Sequence, residues 1–173
     1  MGEGKVVIFT GNGKGKTTSA LGLALDCWAG GGRVLVLQFI KGGWRYGELK
    51  AAAALGERFR LVQGGLGFVR SAGPEQRAAH REAALRTLRD ARESLAAYDL
   101  VVLDEAIYAV GFGLLTVAEV AEVVRNRPPR ATLVLTGRNA PDELVALADE
   151  VVEAVEVKHH ARAGVPAQRG IEF

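Results

Sequence analysis

Between the apolar run Val6-Val7-Ile8-Phe9 and a stretch rich in Ala and Leu lies Thr10-Gly-Asn-Gly-Lys-Gly-Lys-Thr-Thr18. A strand that breaks into glycines and resumes as a helix must turn sharply, and glycine lets successive N–H groups turn inward around one point. The helix N-terminus adds the positive end of its dipole, Lys16 a full charge, and the Thr17 hydroxyl a ligand for Mg²⁺. This is the ending of a phosphate-binding P-loop. It nominates Gly11, Asn12, Gly13, Lys14, Gly15, Lys16, Thr17 and Thr18 as triphosphate-binding residues. The usual pattern has its first glycine at what is here Thr10, with glycine at 11 instead, so the direction of the bound nucleotide stays open.

The rest of the chain continues the alternation that this unit begins. Short β-branched runs at 5–10, 33–38, 59–62, 100–104, 132–136 and 151–157 alternate with longer helical patterns. Such alternation predicts βαβ units around a parallel sheet buried on both faces. The expected fold is α/β: a single-domain, P-loop NTPase-like (RecA-like), three-layer arrangement with a mostly parallel six-stranded sheet, covering residues 1–173. The clearest helix starts at Pro74, with Ala84, Leu88, Ala91 and Leu95 at helical spacing. Its charged positions, Glu82 with Arg86, Arg86 with Asp90 and Arg89 with Glu93, predict a solvated outer face.

Composition narrows the function. The net charge is +2 with the signs interleaved, which gives no footprint for tracking nucleic acid. No apolar run approaches the roughly 20 residues that span a bilayer. The N-terminus lacks the order of an export signal, and the single Cys27 forms no internal bridge, so a cytoplasmic protein is expected. Cys27 reads as a packed helix residue. His80, His159 and His160 have no partners at metal-ligand spacing.

Ligands of open parallel sheets bind beyond the carboxyl ends of the strands. Eleven of the 22 glycines fall on that one edge: Gly11, Gly13, Gly15, Gly42, Gly43, Gly47, Gly64, Gly65, Gly67, Gly137 and Gly164. Leu100-Val-Val-Leu-Asp-Glu105 ends a buried strand in the carboxylates Asp104 and Glu105, the expected partners of Thr17 around Mg²⁺. Arg138 follows a strand end, placed either to bind phosphate or to pair with a carboxylate. Trp44, Tyr46 and Phe68 lie in glycine-rich loops, where they either anchor those loops or offer a flat surface to a large planar ligand. Tyr108 is expected to pack rather than to face a ligand.

Gln38-Phe-Ile-Lys-Gly42, Val101-Val-Leu-Asp-Glu105, Leu135-Thr-Gly-Arg-Asn139, Val157-Lys-His159 and Ala167-Gln-Arg-Gly-Ile-Glu-Phe173 join the P-loop in an order that resembles the P-loop class of ATP:corrinoid adenosyltransferases. The resemblance spans almost the whole chain. It implies that Co(I) of a reduced corrinoid attacks C5′ of ATP, forming a cobalt–carbon bond and expelling inorganic triphosphate, in adenosylcobalamin biosynthesis or salvage. It implies catalytic roles for Lys16, Thr17 and Glu105, with Mg²⁺ or Mn²⁺ on Thr17, Asp104 and Glu105, and Arg138 on ATP. On the corrinoid side it implies Trp44 and Glu48 in the loop after the second strand, and Phe68 as the aromatic that would keep the lower face of the corrin dry and free of an axial histidine. A homodimer and a flavoprotein reductase as electron donor are implied as well.

Two departures from the family pattern stand out. Arg70 replaces a Trp that often follows the Phe68 position, and the chain begins almost at its first strand, where many relatives carry an arm. A more open corrin site, or one closed by a partner subunit, is therefore expected. Two other functions share the P-loop: a small kinase or ATPase, which would release ADP or monophosphate, and a non-catalytic nucleotide or corrinoid carrier, which would bind without turnover.

Overall fold

The computed structural model describes residues 2–43, 47–67, 69, 72–158, 164, 166 and 168. Six strands, β1 (Val6–Thr10), β2 (Val34–Gln38), β3 (Phe59–Gln63), β4 (Leu100–Asp104), β5 (Thr132–Thr136) and β6 (Glu150–Glu153), form one sheet in the order β3-β2-β4-β5-β1-β6. Every pairing is parallel. The strand that leads into the P-loop is thus separated by one strand from the strand ending in Asp104, within the parallel six-stranded sheet expected from sequence.

The four central strands are near-continuous apolar runs because helices cover both faces. On one face Val7, Val34, Val36, Val102 and Val134 pack with Ala20 and Ala24 of α1 (Lys16–Ala29) and Ala52 of α2 (Gly47–Ala54). Small alanines let these helices approach the strands closely. On the other face Leu35, Leu37, Leu103, Leu133 and Leu135 pack with α3 (Pro74–Ser94), α4 (Ala106–Gly111), α5 (Val117–Arg125) and α6 (Asp142–Val145), through residues such as Leu88, Ile107, Val120 and Leu144. Truncating one of these, as in Leu88→Ala, costs about 2–5 kcal/mol.

Helix α3 starts as expected, at Pro74, and the Gln76 side chain accepts from the Gly73 N–H at 3.0 Å to close the first turn. Its charged positions Glu82, Arg86, Arg89, Asp90 and Glu93 are exposed, the solvated face expected from their spacing. Glu82 and Arg86 pair, at 3.7 Å, and Arg81 and Arg92 reach across to Glu119 and Glu122 of α5, at 3.0 and 3.1 Å.

The last strand is shorter than expected, ending at Glu153 and not at Val157. Its sole partner among the described strands is β1, and the register ends at Thr10↔Glu153, where β1 turns into the P-loop. Past that point no described strand remains to pair with, and Val155 and Val157 stand 71% and 93% exposed. The β-branched run had the propensity for a longer strand, but propensity without a neighbour does not extend a ladder.

Candidate nucleotide site

The carboxyl ends of β1, β4 and β5 open on a cleft of about 740 Å³, whose wall includes Gly13, Lys14, Lys16, Thr17, Glu105 and Arg138. A cavity of this size suits a whole nucleotide. The P-loop reaches it by close backbone approach. Gly11 adopts φ 92°, and a Cβ there would sit 2.5 Å from the Ala154 carbonyl oxygen. The Gly13 N–H donates to that same oxygen at 2.6 Å, so the segment after β6 braces the outside of the loop.

Lys16 opens α1, and its Nζ donates to the carbonyl oxygens of Gly11 and Gly13 at 2.8 and 2.6 Å. Partial burial, and then the positive charge of Arg138, lower its pKa from the ordinary lysine value. Both effects disfavour the cation, and a bound polyanion would reverse the second.

Asp104 is fully buried and holds three donors. Its Oδ1 accepts from Thr17 Oγ1 at 2.8 Å and Thr136 Oγ1 at 2.7 Å, and its Oδ2 accepts from Gln38 Nε2 at 3.1 Å. Glu105 follows with φ 63°, and its N–H donates to Thr136 Oγ1 at 2.8 Å. One Thr136 hydroxyl therefore fixes both acids. The Glu105 carboxyl is raised to about 7, by burial first and next by the charge of Asp104, while the Lys41 charge and its backbone N–H act the other way. Its Oε2 is buried without a hydrogen-bond partner among the described residues.

That orphan oxygen, beside the cleft that Thr17 also lines, fits a divalent cation. Among the described residues no three His, Cys, Asp or Glu side chains cluster, so such a cation would complete its shell with phosphate oxygens and water, as Mg²⁺ commonly does.

The expected nucleotide residues are thus brought to one place. Gly13, Lys14, Gly15, Lys16, Thr17, Thr18, Glu105 and Arg138 line the cleft, and Asp104 lies directly behind Thr17. Gly11 is buried in the loop and Asn12 is exposed on it. Tyr108 departs from the expectation of simple packing: it stacks on Phe112, centroids 6.1 Å apart, and also lines the cleft. One helical turn from Glu105, it comes to the ligand edge because α4 begins there. Thr10 explains its own departure from the glycine pattern, since its hydroxyl accepts from the Ala140 N–H at 3.1 Å and ties the loop after β5 to β1.

On the expected corrinoid side, Trp44 and Phe68 lie outside the described residues, as do Tyr46, Arg70, His159 and His160. Glu48 is described, in the first turn of α2, with its Oε1 accepting from Lys41 Nζ at 2.6 Å and from Gln38 Nε2 at 3.3 Å. Sequence reasoning assigned no role to Thr136, Gln38 or Lys41. All three sit within motifs already singled out, and a polar residue ending an apolar strand was the signal that could have found Gln38 and Thr136.

The sequence model of the family described as ATP:corrinoid adenosyltransferase BtuR/CobO/CobP matches residues 2–173. The corrinoid adenosyltransferase of Escherichia coli strain K12 is 38% identical over 171 residues, 99% of this chain and 86% of that protein. The one named CobA in Salmonella typhimurium is 38% identical over 173 residues, with the same coverage, and that of Pseudomonas aeruginosa is 38% identical over 174 residues, 99% of this chain and 84% of that one. A KaiC-like protein of Pyrococcus horikoshii superposes with a TM-score of 0.49 at 17% identity, over 91% of this chain and 75% of that one.

Proposed function

The chain belongs to the ATP:corrinoid adenosyltransferase family and is an enzyme transferring the adenosyl group of ATP to a corrinoid, and we propose that the cleft beside the P-loop is where it does so. One observation carries this placement. Lys16 and Thr17 from α1, Glu105 after β4 and Arg138 after β5 converge on a single cleft, with Asp104 buried behind Thr17 and held by three donors.

In this reaction Co(I) attacks C5′ of ATP, a Co–C bond forms, and the C5′–O bond breaks with its electron pair leaving on triphosphate. The leaving group carries the whole charge, so the work of the protein is electrostatic. Lys16 and Lys14 neutralise the triphosphate, the loop amides bind its oxygens, and Arg138, which also lines the cleft, adds a further positive charge. Lys16 exchanges the carbonyls of Gly11 and Gly13 for phosphate oxygens. A divalent cation, Mg²⁺ or Mn²⁺, would be held by Thr17 and Glu105 with Asp104 behind them, and would supply further charge neutralisation. Co(I) has no proton to lose, which agrees with a cleft that needs no general base.

The corrinoid lies, in this reading, over the loops after β2 and β3, where Trp44, Glu48 and Phe68 stand in the sequence. A single domain over residues 1–173, a homodimer, a flavoprotein electron donor and a cytoplasmic location belong to the same proposal. Among the described residues no helix is long and apolar enough to cross a membrane. A structure with ATP bound tests the placement: C5′ is expected to point towards the loops after β2 and β3, and C5′ directed away from them would contradict it.

A further inference from the structure

Gln38 ends β2 with its side chain wholly buried, in a sheet whose neighbouring inward positions are valine and leucine. A buried amide is costly unless its hydrogen bonds are made, so its presence calls for a reason. Register supplies the geometry. Gln38 is paired with Gln63 on β3 and with Asp104 on β4, and residues paired across parallel strands project to the same face. Gln63 Nε2 donates to Gln38 Oε1 at 3.3 Å, and Gln38 Nε2 donates to Asp104 Oδ2 at 3.1 Å and to Glu48 Oε1 at 3.3 Å. Its amide nitrogen is thus shared between two carboxylates, and its oxygen is engaged.

Those two carboxylates serve different parts of the edge. Asp104 accepts from Thr17 of the P-loop helix, whereas Glu48 heads α2 and accepts from Lys41 in the loop after β2. A continuous chain therefore runs Thr17, Asp104, Gln38, Glu48, Lys41, with every link between 2.6 and 3.3 Å.

We propose that Gln38 is a positioning residue that fixes Glu48 and Lys41 against Asp104, holding the loop after β2 in register with the P-loop. The inference rests on the reading of that loop as the corrinoid side. Gln38 is wholly buried and does not line the cleft. In its absence Asp104 keeps Thr17 and Thr136 as donors, so the nucleotide end changes little, while the Glu48 carboxylate, still paired with Lys41, loses its side-chain link to Asp104.

The test is steady-state kinetics of Gln38→Leu with ATP and chemically reduced cob(I)alamin. The KM for cob(I)alamin is expected to rise about tenfold, as for one lost hydrogen bond to a charged group, with the KM for ATP within about twofold of wild type. Glu48→Gln should give the same split. The double variant should add little to either single change, because both cut one chain. A purely structural role would lower the melting temperature and the active fraction and leave both KM values alone. That result, or an equal rise in both KM values, overturns the proposal. If Gln38→Leu does not fold, Glu48→Gln and Lys41→Met cut the same chain and are read through the same two constants. Wild-type protein that releases no triphosphate would instead contradict the functional reading on which the inference rests.

Discussion

The Thr17 hydroxyl donates to Asp104 Oδ1 at 2.8 Å, joining the first turn of α1 to the end of β4 across 87 positions of sequence. Thr17→Val keeps the shape and removes the donor. ATP affinity should fall at least about tenfold, and folding stability by about 1–3 kcal/mol, because Asp104 loses one of three donors. Calorimetric titration and thermal unfolding measure the two effects. Unchanged ATP affinity would remove Thr17 from the site.

Lys16→Ala should abolish ATP binding, since it removes the cation that the P-loop holds at the Gly11 and Gly13 carbonyls in the wall of the cleft. Phe68→Ala should leave ATP binding intact and slow the reduction of Co(II) corrinoid. Equal loss of ATP binding in both variants would contradict the division of the edge into a nucleotide half and a corrinoid half.

Glu105 gives a pH prediction with a definite sign. Its carboxyl is raised to about 7 in the folded chain, against an ordinary 4.5. Between these values the folded state holds the proton that the unfolded state has released. The contribution to stability is therefore full below pH 4.5 and is lost as pH rises through 7. Without nucleotide or divalent cation, the urea midpoint should fall from about pH 5 to about pH 8, and Glu105→Gln should flatten that fall. Equal slopes for the two proteins would contradict the assignment.

The loops after β2 and β3 meet backbone to backbone. A methyl group on Gly65 would run into Ile40 and stand 2.6 Å from the Phe39 carbonyl oxygen, whereas one on Gly47 would meet nothing within 4 Å. Gly65→Ala should destabilise the fold by about 1–3 kcal/mol and weaken corrinoid binding, while Gly47→Ala should be neutral or slightly stabilising in denaturant titration. Equal effects would mean that the close approach has no bearing on the site.

The P-loop was legible because its residues are contiguous and its context, strand then helix, is local. Asp104 and Glu105 were legible for the same reason, as an acidic pair closing an apolar run. Gln38 was not, because its meaning depends on the register that places it between Gln63 and Asp104, and register belongs to the folded sheet. Thr10 looked like a missing glycine until the loop after β5 was seen to hang from its hydroxyl. The overlong sixth strand failed on the same ground: Val155 and Val157 have strand propensity, yet β1 turns away before reaching them.

The most direct measurement is the fate of the phosphates when the protein is given ATP and chemically reduced cob(I)alamin in the dark. One inorganic triphosphate is expected for each light-sensitive alkylcobalt product, with neither formed by Lys16→Ala. Release of ADP or monophosphate as the sole phosphate product would contradict adenosyl transfer at this cleft.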